Sequence, residues 1–293
     1  MLKVLLKISV LCLLVTGTIV ILAGRQKTTY DPNNYFAALI DKNNLLEKTN
    51  PPRIIFVGAS NLAFGLDSKM IEKEFDMPVV NMGLHGDFGL GFILNNVKQN
   101  IKKGDIVVLA IEYYLDKIYY KDVSYATALY PKGKEYIDYN AEYYSQKLKY
   151  HVNEAQIMRQ KFFNFIFEKV IRFKEAKVYI PTELNSYDTA VYSRSGFNSN
   201  GDLVSHLTKK PFENLTGGIK IQTEDYSDCI DKLNDFLKYV NEHGGRVYFT
   251  YPCYARSEFE KNYKAISDFE KQLKENMKIE IISSPEDTAF PDS

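Results

Sequence analysis

Short apolar runs alternate with segments of helical periodicity over the first part of the chain. Apolar runs at 53–58, 78–82 and 105–111 are separated by helix-like stretches at 67–75 and 89–101. A short continuous apolar run that stops at a turn signal is typical of a strand buried on both faces. Strands that alternate with helices at this spacing predict a parallel sheet with right-handed crossovers.

The same alternation returns near the C-terminus. Helical spacing at 225–243 leads into an apolar run at 246–251, and a second helical stretch at 258–276 leads into another run at 278–282. Together the two blocks predict an α/β domain with about five parallel strands. The domain is expected to span 53–293.

The segment at about 113–223 interrupts this α/β domain. It is rich in tyrosine and phenylalanine, with a predicted long helix from about 142 to 177 and a turn-rich piece at 193–202. An insertion of this size in an α/β domain usually forms a cap over the carboxyl ends of the strands, where such sheets bind ligands. Upstream of the domain, the polar stretch 26–52 is interpreted as a linker.

The N-terminus predicts a membrane anchor over residues 1–25. Residues 8–23 carry no charge, and basic residues flank them on both sides. With 4–7 added, this run is long enough to cross a bilayer, and the charge difference between its ends favours a domain outside the cytoplasm. We expect a single-pass, uncleaved anchor that holds the chain in the membrane through residues 4–23. A cleaved signal peptide remains the alternative.

Charge and composition exclude several classes of partner and site. The 37 basic residues are balanced by 37 acidic ones, which excludes the basic surface of a nucleic-acid-binding protein. The three cysteines contain no CxxC pair, and the four histidines show no HxH or HExxH spacing. No metal or cofactor is therefore expected, and the oligomeric state is not indicated.

Candidate catalytic residues follow the first two predicted strands. Ser60 comes directly after Gly58-Ala59, where a tight turn would present its hydroxyl at the mouth of the sheet, as an acyl-transfer nucleophile requires. Gly83 follows the second strand at the same edge and would allow a backbone N–H to point at a developing oxyanion. The alternatives are an ordinary strand-ending turn at Ser60 and a loop that needs positive φ at Gly83.

These residues resemble a known family. Val57-Gly58-Ala59-Ser60-Asn61 with Phe64-Gly65-Leu66-Asp67, followed by Asn81-Met82-Gly83, is similar to the first two blocks of the SGNH/GDSL hydrolase superfamily. The likeness is greater to its membrane-anchored bacterial branches, which are related to the D-alanyl transfer protein and to polysaccharide O-acetylation enzymes. The resemblance implies a three-layer, flavodoxin-like sheet, Ser60 as nucleophile, and an oxyanion hole made by the amides of Ser60 and Gly83.

The chain departs from the family pattern in two places. Where the family has an asparagine after the third strand, this sequence has Glu112, interpreted as a residue that orients a partner or as a buried hydrogen-bonding residue. The Asp/His block expected after the last strand is not found, so the chain is expected to be either truncated before that block or catalytically inactive. His85 and His206 are the weaker candidates for a base.

The sequence therefore predicts a membrane-anchored, extracytoplasmic SGNH-like serine esterase or O-acyltransferase, C-terminally truncated. Its substrates are expected to be acylated glycans or lipids of the cell envelope, or another acyl donor. The alternative is a catalytically inactive SGNH-like protein that binds a glycan or serves as an accessory factor.

Overall fold

The computed structural model describes most of the chain beyond the N-terminus. The described residues are 30–113, 117–166, 190–210 and 220–292, with scattered positions between 3 and 18. The predicted anchor lies largely outside the described residues. Among the helices that are described, none combines the length and the apolar composition that a membrane span requires.

A parallel sheet forms the centre of the fold. The strands, in chain order, are β1 (Ile54–Gly58), β2 (Val79–Asn81), β3 (Ile106–Ala110), β4 (Arg246–Thr250), β5 (Tyr254–Ala255), β6 (Glu280–Ile281) and β7 (Ala289–Phe290). Within the described residues, five of them form one parallel sheet in the order β2-β1-β3-β4-β6, and β5 pairs with β7 separately. The predicted α/β class and parallel sheet are confirmed, and the strand order is compatible with a flavodoxin-like fold.

The helices connect these strands. In chain order they are α1 (Ala38–Lys48), α2 (Ser60–Gly65), α3 (Ser68–Phe75), α4 (Leu90–Lys98), α5 (Tyr120–Leu129), α6 (Ala141–Ile166), α7 (Ser227–Glu242) and α8 (Arg256–Asn276). The crossover helices lie where the periodicity predicts them, within a few residues at each end. The last part of the predicted long helix, 167–177, lies outside the described residues.

Strands β1, β2 and β3 are largely buried on both faces, which explains their continuous apolar runs. Alternate residues of the strands, such as Ile55 and Val107, join the main core cluster with α4 and α7. The residues between them, such as Ile54 and Val108, join a smaller cluster that includes Ile71 of α3. A strand with helices on both sides buries every side chain, so it cannot show the polar alternation of a half-exposed strand.

The predicted linker at 26–52 is corrected by the structure from residue 30 onward. Helix α1 lies within this segment, and its Ala38, Leu39 and Leu46 are buried in the main core. The domain therefore begins upstream of Arg53. Composition does not predict this helix, because two of its buried residues, Lys42 and Asn43, are polar.

The described part of the insertion reaches the carboxyl ends of the strands from two directions. Asn200 accepts a hydrogen bond from the Asn81 amide at 2.9 Å, and the Leu203 amide donates to the Ala63 carbonyl at 2.7 Å. Asn200 Nδ2 also donates to the Val79 carbonyl, so this piece is hydrogen-bonded to the edge strand β2. From the other direction, the amide of Tyr119, just before α5, donates to the Asp87 carbonyl at 2.9 Å.

At the amino ends of β1 and β3, Arg53 and Asp105 form a fully buried ion pair. Guanidinium nitrogens lie 3.0 and 3.1 Å from the two carboxylate oxygens. The same guanidinium donates to the backbone carbonyls of Leu46, Thr49 and Asn100. The pair thus joins the end of α1 to the sheet.

Candidate functional site

Ser60 lies at the carboxyl edge of the sheet, as the sequence predicts. Strand β1 ends at Gly58 and α2 begins at Ser60, whose side chain is half-buried and reaches solvent. A Cβ at Gly58 would overlap the carbonyl oxygen of Ala110 on β3. Glycine is therefore required for β1 and β3 to approach so closely just before the serine.

Strand register brings Ser60 and Glu112 together. Gly58 of β1 pairs with Ala110 of β3, so the residues two positions further along each strand emerge at the same level. The Ser60 hydroxyl donates to Glu112 Oε1 at 3.3 Å, and the Asn61 amide donates to the same oxygen at 3.4 Å. Both bonds are long for their type. The Ser60 hydroxyl therefore lies next to the Glu112 carboxylate, and the hydrogen bond between them is weak.

Asn61 fixes the turn that carries the serine. Its side-chain Nδ2 donates to the Ala110 carbonyl at 3.0 Å, and its Oδ1 accepts from the Ala59 amide at 3.1 Å. Because one side chain satisfies a backbone group after β1 and another at the end of β3, Asn61 restrains the conformation of the Gly58–Asn61 turn.

Glu112 is a buried carboxylate, 9% exposed. None of the ion pairs found in the described residues involves it. Its charge acts on a neighbouring phenol: burial raises the pKa of Tyr35, and Tyr192 and Glu112 raise it further. Gly86 leaves room for the carboxylate, since a Cβ there would lie 3.0 Å from Glu112 Oε2.

Gly83 lies beside α2 and packs tightly against it. Its amide donates to Asn81 Oδ1 at 2.9 Å, so the N–H expected to bind an oxyanion is already engaged. A Cβ at Gly83 would overlap Leu62 Cβ and lie 2.7 Å from the Ala59 carbonyl oxygen. The alternative of a positive φ at Gly83 is wrong, because in this loop it is Gly89 that has φ of +80°.

A buried polar network that the sequence analysis missed anchors Asn81 from the other side. Asp202 of the insertion accepts hydrogen bonds from Ser68 Oγ at 2.6 Å, Asn81 Nδ2 at 2.9 Å and Asn198 Nδ2 at 3.0 Å. Asp202 is 121 residues from Asn81 in sequence. No local pattern could have indicated this contact, which holds the insertion against the sheet.

Lys42 of α1 belongs to the same network. Its ammonium nitrogen lies 2.8 Å from the Asn81 carbonyl oxygen and 2.5 Å from that of Gly201. Burial lowers the pKa of Lys42 to about 7, although the nearby Asp202 carboxylate acts in the opposite direction. An amine that donates to two carbonyls in this way stabilises the backbone at the end of β2.

His85 is held by two carboxylates, and in the described part of the chain it makes no hydrogen bond to Ser60. Its Nε2 lies 3.4 Å from Asp122 Oδ2 and 3.5 Å from Asp87 Oδ2. Burial alone would lower the pKa of His85, but hydrogen bonds and charges from these two carboxylates raise it to about 9. An imidazole that is protonated at neutral pH cannot accept a proton from serine, so His85 is a poor candidate for the base.

The other candidate histidine, His206, also lacks a polar link to the serine. Its ring packs against Phe64, with ring centroids 5.2 Å apart, and its Nδ1 is buried without a hydrogen-bond partner. In the part of the chain that the structure describes, no hydrogen bond joins any histidine to Ser60 or Glu112. Of the candidate site residues, the structure therefore brings Ser60 and Glu112 into contact.

The chemistry available at this edge is that of a solvent-accessible hydroxyl beside a buried carboxylate that can accept its proton. Comparison of the chain with protein-family models, with curated proteins and with solved structures gave no match.

Proposed function

We propose that Ser60 is the nucleophile of a membrane-anchored, extracytoplasmic SGNH-like serine esterase or O-acyltransferase. The observation that carries the proposal is the contact between the Ser60 hydroxyl and Glu112 Oε1 at 3.3 Å. A nucleophilic hydroxyl needs a proton acceptor within hydrogen-bond reach, and Glu112 is the ionisable group that meets this requirement. The SGNH-type motif around Ser60 supports the same assignment.

In the proposed reaction, Ser60 Oγ attacks the carbonyl carbon of an acyl ester while its proton passes to Glu112. Collapse of the tetrahedral intermediate breaks the ester C–O bond, and the proton on Glu112 goes to the departing alcohol. Water or a sugar hydroxyl then attacks the acyl-enzyme, again losing its proton to Glu112. Glu112 finally returns that proton to Ser60 Oγ, which completes the cycle.

The oxyanion would be stabilised differently from the family pattern. The Gly83 amide donates to Asn81 Oδ1, so we assign to Gly83 the positioning of α2 rather than the binding of the oxyanion. The Ser60 amide keeps the role that the resemblance implies. The expected substrates are acylated cell-envelope glycans or lipids, for which the resemblance and the predicted anchor are the support.

A serine-reactive probe tests this proposal directly. The full chain should react with a fluorophosphonate and hydrolyse p-nitrophenyl acetate, and Ser60→Ala should lose both properties while its circular dichroism is unchanged. Ser145→Ala, on α6, is the matched control and should behave as the wild type. Labelling and turnover that persist in Ser60→Ala would overturn the proposal.

A second candidate is a catalytically inactive protein that binds an acylated glycan at the same edge. The engaged Gly83 amide and the carboxylate-bound His85 favour this alternative, since neither group is available for catalysis. It predicts no turnover by the wild type, together with binding of an O-acetylated polysaccharide that Ser60→Ala retains and that chemical deacetylation of the polysaccharide abolishes.

A further inference from the structure

A second group of polar side chains surrounds His85, apart from the Ser60–Glu112 pair. His85 follows β2, Asp87 lies in the 3-10 turn Gly86–Phe88, and Asp122 lies in the first turn of α5. One donor atom from each side chain lies within 4.8 Å of the others. Imidazole nitrogen and carboxylate oxygen are the ligand atoms that zinc accepts in catalytic and structural sites.

The spacing of these atoms matches a tetrahedral site. Zinc binds nitrogen and oxygen at about 2.0–2.1 Å, which places neighbouring ligand atoms about 3.4 Å apart around a tetrahedron. His85 Nε2 lies 3.4 Å from Asp122 Oδ2 and 3.5 Å from Asp87 Oδ2. Two of the three distances between the ligand atoms therefore already have this length. The third, between the two carboxylates, is no more than 4.8 Å, and small rotations of these partly exposed side chains would shorten it.

The three side chains are also suitably exposed for a fourth ligand. Their exposed fractions are 21% for His85, 36% for Asp87 and 27% for Asp122. Solvent therefore has access to the group, as an entry path and an open coordination position require. A cation that binds His85 Nε2 displaces the proton from the imidazole, and the two carboxylates then supply a charge of −2, which a divalent cation neutralises.

The surrounding structure holds the imidazole in place. The His85 ring lies against Phe36 and Phe88, with centroid distances of 5.0 and 5.4 Å. Backbone contact between Tyr119 and Asp87 at 2.9 Å fixes the start of α5 against the turn that carries Asp87. The ligand atoms are thus presented by packed elements rather than by a single extended loop.

We propose that His85 Nε2, Asp87 and Asp122 bind a divalent transition-metal ion of the zinc type, with water as the fourth ligand. A mixed nitrogen and oxygen set favours zinc over calcium and magnesium, which prefer oxygen ligands alone. The ion ties the insertion to the loop that carries Gly83 and Gly86. The site does not depend on the chemistry assigned to Ser60.

Calorimetric titration of the metal-stripped full chain with Zn²⁺ tests the site. We expect about one equivalent to bind to the wild type. His85→Gln and Asp122→Asn should each lower the affinity by at least about tenfold, because each removes one of three protein ligands. His243→Gln, an exposed histidine on the far end of α7, is the matched control and should bind zinc as the wild type does.

Substitution by Co²⁺ provides a readout of geometry. Tetrahedral nitrogen and oxygen coordination should give visible absorption bands that disappear in Asp122→Asn, while circular dichroism shows that this variant remains folded. Ser60→Ala should retain full zinc uptake, which separates failure of this site from failure of the proposed function. Absence of zinc uptake by the wild type, or uptake that His85→Gln and Asp122→Asn leave intact, would overturn the proposal.

Discussion

The two ends of strands β1 and β3 carry polar pairs of opposite character. At the amino end, Arg53 and Asp105 are fully buried, and the guanidinium donates to both carboxylate oxygens and to three backbone carbonyls. At the carboxyl end, Glu112 accepts two long hydrogen bonds from neutral donors, Ser60 and Asn61. The same two strands position both pairs.

The pair at the amino end is suited to stabilise the fold, and the pair at the carboxyl end is suited to react. A buried ion pair whose hydrogen-bonding groups are satisfied stabilises one arrangement and leaves nothing for a ligand to bind. A buried carboxylate held by two weak contacts keeps the capacity to accept a proton or a further hydrogen bond. Ligand sites of parallel α/β sheets lie at the carboxyl ends of the strands, which is where the second pair is found.

The largest expected effect is a loss of stability when the ion pair at the amino ends of β1 and β3 is broken. Arg53→Met should lower the free energy of unfolding by about 3–5 kcal/mol, because it leaves the Asp105 carboxylate buried without a partner. Urea denaturation measures this loss. The double variant Arg53→Met/Asp105→Leu should recover part of it, and Ser60→Ala should change stability by no more than about 1 kcal/mol. A loss below about 1 kcal/mol in Arg53→Met would break the comparison.

At the carboxyl end, Glu112→Gln should reduce ester turnover at least about 100-fold, because the amide keeps the shape but cannot accept the serine proton. The free energy of unfolding should change by about 1 kcal/mol or less, since the contacts it makes are long. Steady-state kinetics and urea denaturation give the two values. Glu260→Gln, an exposed position on α8, is the control. If Glu112→Gln loses stability but keeps ester turnover, Glu112 stabilises the fold and is not the proton acceptor.

Gly83→Ala tests whether the packing beside Ser60 is as tight as the packing around the Arg53–Asp105 pair. The added methyl would meet Leu62 and the Ala59 carbonyl, so we expect a loss of about 1–3 kcal/mol in the free energy of unfolding. Gly65→Ala is the matched control, because a Cβ at that position meets nothing within 4 Å. Equal stability of the two variants would contradict the packing role of Gly83.

Lys42 can be compared with Arg53, because it is a buried cation near the carboxyl end of β2 that contacts carbonyl oxygens and, among the described residues, no carboxylate. Burial lowers the pKa of Lys42 from 10.5 to about 7 in the folded chain, so the unfolded chain binds more protons between these values. Stability from this group therefore rises with pH across that window. Relative to Lys42→Met, the wild type should gain about 1 kcal/mol between pH 7 and pH 8.

Urea denaturation of both chains at each pH measures this difference, and groups that titrate equally in the two chains cancel from it. A difference that stays constant from pH 7 to pH 8 would show that Lys42 keeps its proton in the folded state.

Sequence patterns predicted the strands and the crossover helices because these depend on local periodicity and on turn residues. Ser60 was placed correctly for the same reason, as the residue that follows a short apolar run. Helix α1 was missed because buried Lys42 and Asn43 interrupt its apolar face. Lys42 can be buried because the carbonyls of Asn81 and Gly201 accept its hydrogen bonds. Asn43 donates to the Leu39 carbonyl of its own helix and accepts a hydrogen bond from the distant Tyr136.

The amino-acid sequence by itself determined a parallel α/β sheet with a serine at its carboxyl edge, since burial on both faces and tight turns leave a local signature. Only the tertiary structure decided which polar groups meet. Glu112 reaches Ser60 through the β1–β3 register, and Asp122 reaches His85 because α5 packs beside the loop after β2. Contacts between residues dozens of positions apart depend on how helices and strands pack, and no short segment encodes that packing.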